Sequence, residues 1–197
     1  MSTAKSAPLV ALASAALFGA STPFAKLLLG EGLSPLTLAG LLYLGSGIGL
    51  AALALARRMT GTAPAEAPLR RADIPWLALV VLFGGVLGPV LLMAGLATPA
   101  ASAASLLLNV EGLATMAIAW IVFRESVDRR LLAGAAAILV GAVILSWQGG
   151  TGEVGLGAFA IVGACLAWGI DNNLTRKLSA ADPVEIAMIK GLAAGSV

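Results

Sequence analysis

One pattern constrains this chain more than any other: a run of roughly twenty apolar residues, a short break, then another such run, along nearly its whole length. A helix rises about 1.5 Å per residue, so about 20 residues cross a hydrocarbon core roughly 30 Å thick. Six complete runs are legible, at residues 7–29, 35–56, 76–97, 101–123, 131–147 and 154–174. A seventh begins at Val184 and reaches Val197, a rise of only roughly 21 Å, so it reads as cut short and the chain as truncated. In hydrocarbon every backbone N–H and C=O needs a partner within the protein, and runs of this length meet that need as helices. The predicted class is therefore an all-α polytopic membrane protein, with about six spans and a truncated seventh. Composition agrees: 59% of the 197 residues are hydrophobic and 11% charged, where a soluble domain carries about 25% charged residues. A soluble fold of this length could not hide so much apolar surface. The first run also resembles a signal peptide, but it continues to Leu29 and the same stretch recurs later in the chain, so it reads as a span.

The loop charges give orientation. Arg57, Arg58, Arg70 and Arg71 lie between runs two and three, Arg124, Arg129 and Arg130 between runs four and five, and Arg176 and Lys177 after run six. The alternate loops, 98–100 and 148–153, have no basic residue. By the positive-inside rule the N-terminus is cytoplasmic. Lys26 is the exception and can snorkel to the interface. No broad basic patch exists, so nucleic acid is not expected as a partner; the expected partners are the lipid bilayer and a small-molecule substrate.

The chain has no histidine and one cysteine, Cys165. That removes His-ligated metals, haem, Ser-His catalysis and an internal disulfide. Cys165 sits in an apolar stretch and reads as an inert packed thiol. Intramembrane proteolysis lacks its parts, since the spans hold a single aspartate. A lysine in the seventh run raises retinal chemistry, but one Tyr and four Trp make a poor chromophore pocket. No enzyme activity, catalytic residue, metal or cofactor is expected.

An internal repeat is the strongest signal. In run one, Phe18-Gly19 is followed seven residues past the glycine by Lys26; in run six, Trp168-Gly169 is followed at the same distance by Arg176. With a two-residue gap, Ser34-Pro35 then falls on Asp182-Pro183, Ala39 on Ala187 and Gly47 on Gly195. The unit is five helices long, and an odd number forces the copies into opposite orientations. Residues 1–148 form the first copy and 149–197 the start of the second. Inverted repeats characterise secondary transporters, with sites near the midplane at the repeat interface.

The sequence here resembles the EamA-type transporters of the drug/metabolite transporter superfamily. The resemblance rests on the opening Phe18-Gly19-Ala20-Ser21-Thr22-Pro23-Phe24, the stretch Leu108-Asn109-Val110-Glu111-Gly112-Leu113, and the end of run four, Ala119-Trp120-Ile121-Val122-Phe123-Arg124-Glu125. A glycine-rich fifth run (Gly134, Gly141) and the Trp168-Gly169 restart follow. The resemblance implies ten spans in two inverted five-helix repeats, both termini cytoplasmic, and transport by alternating access.

Several residues could line a substrate or ion path. Glu111 is the deepest charge, near the middle of run four, where an ionised side chain costs about 2.5–3.5 kcal/mol or more. It can lower that cost by taking a proton, which is what proton coupling needs. It shares a face with Leu107, Leu108, Thr115 and Ile118, whereas Asn109 lies about 200° round the helix. Asp171, Asn172 and Asn173 form a polar triplet that cannot face one groove of a regular helix: either protein encloses that helix on most sides or it loosens there. Its repeat partner, Ser21-Thr22-Pro23, contains a proline that favours a break. Lys190 and Asp171 lie at similar depth in adjoining spans and could pair. Glu125 reads as a solvated interfacial charge. Gly45-x-x-x-Gly49, Gly84-x-x-x-Gly88 and Gly191-x-x-x-Gly195 let helix backbones approach, within one bundle or, as the lesser alternative, in a homodimer. The function expected is a secondary transporter of small metabolites or drugs; the alternative is a non-transporting membrane fragment or assembly subunit.

Overall fold

The computed structural model describes residues 3–61, 66–98, 104–146 and 156–197. Its elements are α1 (Thr3–Gly30), α2 (Pro35–Met59), α3 (Ile74–Val80), a π-helical segment (Val81–Leu87), α4 (Gly88–Leu96), α5 (Ala104–Leu107), α6 (Val110–Ile121), α7 (Arg129–Ser146), α8 (Leu156–Thr175) and α9 (Pro183–Gly195). The described residues form no β-strand, only an isolated bridge between Ala67 and Ala181. Three helical stretches among them, 8–30, 35–59 and 71–96, are long and apolar enough to cross a membrane. Large apolar side chains such as Leu17 (74% exposed) and Phe18 (61%) stand on the outside. Water would penalise that surface and lipid does not, so this is a multi-pass helical membrane protein. Of the runs read from the sequence, positions 101–103, 147 and 154–155 lie outside the described residues.

Helix starts follow local chemistry. Ser34 caps α2, its Oγ accepting from the Thr37 amide at 3.0 Å, with Pro35 in the first turn. Asp182 caps α9 in the same way, Oδ1 accepting from the Val184 amide at 2.9 Å, with Pro183 next. The two pairs that the repeat sets on one another thus perform one task.

α2 and α9 form the tightest seam. A Cβ on Gly191 would lie 2.7 Å from the Gly47 amide nitrogen and 2.8 Å from the Tyr43 carbonyl oxygen; one on Gly195 would meet the Leu44 amide nitrogen at 2.5 Å. Contacts descend α9 as they climb α2, so the helices run antiparallel with backbones touching. Gly84 and Gly88 are equally enclosed, Gly88 by the Trp168 indole, whereas Gly45 and Gly49 face open space. The small-residue motifs therefore divide into two used inside the bundle and one that is not.

The main core lies on other faces of the bundle. Leu38, Leu92, Met93, Leu96, Ile161 and Ala164 are buried where α2, α4 and α8 meet. A second cluster, Val80, Leu178, Ala181 and Ile186, closes the end that carries basic loops. There the Ala67 amide donates to the Ala180 carbonyl at 3.1 Å and the Asp182 amide to the Ala67 carbonyl at 3.3 Å, tying the loop before α3 to the loop before α9.

Two expected helix breaks are absent, and two others are present. α1 runs unbroken through Pro23, because losing one hydrogen bond costs less than opening a helix to hydrocarbon. α8 runs unbroken through Asp171–Asn173, because each of the three finds partners on neighbouring helices or along α8 itself. Of the two sequence alternatives the loosened helix is absent; Asp171 and Asn173 are buried, while Asn172 stays exposed. The irregularities lie instead in runs three and four. At Val81–Leu87 the chain widens into a π-helix. Pro89 has no N–H for the Gly85 carbonyl and its ring presses on that carbonyl, which a wider turn relieves. At Leu108–Asn109 the chain tightens: the Glu111 amide bonds the Leu108 carbonyl at 3.1 Å, leaving the Leu107 carbonyl without its usual helical donor.

Candidate functional site

Each helix irregularity is sealed by another span, and each adjoins an acidic side chain. In run three the Gly84 carbonyl accepts from the Tyr43 hydroxyl at 2.6 Å and from Trp168 Nε1 at 3.2 Å. Gly84 itself lies against the Asp171 carboxylate and the Lys190 ammonium, and a side chain there would overlap both. Asp171 (5% exposed) and Lys190 form an ion pair between α8 and α9, and Thr175 Oγ1 donates to the other Asp171 oxygen at 3.3 Å. The pairing expected from their shared depth is present. In run four the Cys165 thiol donates to the freed Leu107 carbonyl at 3.4 Å, and Glu111 follows in the first turn of α6.

Glu111 is half-buried, facing α8. Asn172 Nδ2 donates to Glu111 Oε1 and to Thr115 Oγ1, both at 3.1 Å. Thr115 Oγ1 in turn donates to the Glu111 carbonyl at 2.9 Å. Asn173 Nδ2 donates to the Gly169 carbonyl at 2.8 Å and, across the gap, to the Thr115 carbonyl at 3.0 Å, while its Oδ1 is buried with no donor among the described residues. A buried acceptor left unpaired costs about 1–3 kcal/mol.

These groups line an open cleft of about 440 Å³ between α6, α8 and the start of α7. Its mouth is crossed by an ion pair of Arg176 and Glu125, half exposed on both sides. Arg124 has φ +54°, a left-handed turn that ends α6 and lets the Glu125 amide reach back to the Ala119 carbonyl at 3.2 Å. Phe123 lies under Arg176 and Lys177, 5.9 and 5.7 Å from its ring centre. Glu125 is thus paired, not simply solvated as the sequence suggested.

The structure gathers Glu111, Asn172 and Asn173 at the cleft, and Asp171 with Lys190 one helix face away. It leaves out the others. Asn109 is exposed with Nδ2 on the Leu106 carbonyl, 3.1 Å away, on the far side of the turn. Ser21 donates to the Phe18 carbonyl within α1 at 2.6 Å, and Thr22 and Pro23 stay on that helix, away from the cleft. Tyr43 and Trp168 were not singled out as site residues. The signal was available for Tyr43, the only tyrosine in the chain and mid-span, where a hydroxyl needs a partner.

Residues 5–147 match the family model of the EamA-like transporter family. An uncharacterized transporter of Methanothermobacter thermautotrophicus is 28% identical over 193 residues, an alignment covering 91% of this chain and 56% of that protein. The chain thus spans little more than half the length of this relative. No solved structure matches it. With its apolar helices and a family match over most of its length, the chain belongs to the EamA-like transporter family.

Proposed function

We propose that the chain carries the first five-helix repeat and the start of an inverted second repeat of a ten-span secondary transporter. It would move small metabolites or drugs by alternating access across a bacterial inner membrane, with a cytoplasmic N-terminus and Glu111 as the proton-coupling acid. The observation that carries this reading is Glu111 itself: a carboxylate inside the apolar bundle, facing a cleft and held by the neutral amide of Asn172. Among the described residues no cation pairs with it. A membrane-buried acid without a cation is suited to exchanging a proton.

The α2–α9 seam supports the inverted repeat. The alignment that sets Gly47 on Gly195 also sets Leu44 on Leu192. Gly47 contacts Leu192, and Leu44 contacts Gly195. The two contacts exchange under the repeat, as a two-fold axis in the membrane plane requires. Both copies present α2-type helices in opposite directions, so rocking one against the other would open opposite faces in turn.

The test is transport in vesicles with and without a pH gradient. Glu111→Gln keeps the shape and most hydrogen bonds while losing the titration. It should abolish pH-driven transport and leave substrate exchange at equal pH intact. Unchanged pH dependence in that variant would remove Glu111 from the coupling role.

A further inference from the structure

α6 and α8 are joined at two levels. At the first, a Cβ on Gly169 would meet the Ala114 Cβ at 2.9 Å, and Asn172 and Asn173 both bond Thr115. At the second, past the end of α6, Glu125 pairs with Arg176, and Phe123 lies under Arg176 and Lys177. Among the described residues no hydrogen bond joins the two helices between these levels. The cleft occupies that stretch, with Met116 and Ala119 on its wall. The first level is close backbone packing; the second is made by side chains alone.

The second level needs strained backbone. Phe123 and Glu125 would point about 200° apart on a regular helix, so only one of them could reach α8. Both reach Arg176, because Arg124 between them turns the chain with φ +54°. Residues other than glycine, Asn and Asp seldom take that conformation, and where they do the surroundings hold them in it, often at switches. The pair is half exposed on both sides, so it is worth at most roughly fivefold in an equilibrium. That is little for folding. It matters where two conformations of a folded protein lie close in free energy.

Building on the transport reading above, we infer that the Glu125–Arg176 pair, seated on Phe123, is the latch of a gate. Made, it holds shut the end of the cleft that faces the basic loops. Broken, it lets the ends of α6 and α8 part about the Gly169–Ala114 contact and opens the cleft to that side. A weak tie suits this task, because the gate must open in every transport cycle.

The experiment follows a cysteine introduced as Met116→Cys in a Cys165→Ala background. Position 116 lines the cleft, roughly 8 Å in from the end of α6. Vesicles of the full chain are oriented so that their outer face is the one that labels a cysteine at 129. Labelling rates are read with a cationic and an anionic methanethiosulfonate, neither of which crosses the membrane. Glu125→Gln and Arg176→Gln should each speed both reagents about threefold or more, Arg176→Gln the more strongly because it also loses the contact with Phe123. The exchanged pair, Glu125→Arg with Arg176→Glu, should bring both rates back to within about 1.5-fold of the parent. Such recovery also excludes misfolding as the cause of faster labelling. The inference is overturned if either single variant leaves the rates unchanged or if the exchanged pair labels as fast as the singles. Opposite shifts for the two reagents overturn it too, since they mean an altered charge field without opening. Failure here is separable from failure of the transport reading. pH-driven transport by the wild type without a latch signal refutes only this inference; a latch without transport refutes only the transport reading.

Discussion

Replacing Gly191 by alanine tests the α2–α9 seam at its closest point. The new methyl carbon would lie 2.7 Å from the Gly47 amide nitrogen and 2.8 Å from both the Gly47 Cα and the Tyr43 carbonyl oxygen. All three are backbone atoms of a continuous helix, so no rotamer change can make room. Ordinary contacts of this kind begin at 3.4 Å. The helices must therefore part by about 0.7 Å, and a gap of that size forfeits a quarter to a half of each affected van der Waals contact. Overpacking of this type costs about 1–3 kcal/mol. Gly45→Ala and Gly49→Ala are the controls: both positions are helical on α2 with nothing within 4 Å, so they should be neutral or slightly stabilising. Unfolding of each purified variant by rising SDS mole fraction, followed by circular dichroism, reads the difference. If Gly191→Ala matches wild type, or if Gly45→Ala is as damaging, the backbone-contact argument fails.

Three further outcomes follow from other contacts. Lys190→Leu should cost about 3 kcal/mol or more in the same unfolding assay, because Asp171 is left buried without a cation; adding Asp171→Asn should recover most of the loss, and a double variant as unstable as the sum of the singles would contradict the pairing. Cys165 is 0% exposed, so its thiol should resist maleimide in the folded protein and react after SDS denaturation; rapid labelling in the native state would contradict its place beneath Leu107. Single cysteines placed at 58 and 129 in a Cys165→Ala background should label from the cytoplasmic side and one at 98 from the outside, and the reverse pattern would invert the orientation.

The sequence was informative wherever the deciding physics is local. Apolar runs reveal membrane helices because hydrocarbon demands internal hydrogen bonding over about 20 residues at a stretch. Ser34-Pro35 and Asp182-Pro183 open helices because a cap and its amide lie within three residues. Depth along a helix is also a local count, so Asp171 and Lys190 could be matched before any contact was seen. Rotation about the helix axis, and what stands opposite, are not local. The sequence held three amide-bearing candidates, Asn109, Asn172 and Asn173, and only packing shows Asn172 on the Glu111 carboxylate and Asn109 on the Leu106 carbonyl. Prolines 23 and 89 look alike as helix breakers. Pro23 stays within a continuous helix, whereas Pro89 stands beside a π-turn whose Gly84 carbonyl is sealed by Tyr43 and Trp168 from two other spans. The chain by itself determined that helices would fill a membrane and where their charges would lie, because solvation of backbone and charge depends on nearby residues. Which polar groups meet inside was decided only by the tertiary structure, because in hydrocarbon a buried polar atom must be satisfied by whatever neighbouring helix the packing brings within 3 Å or so.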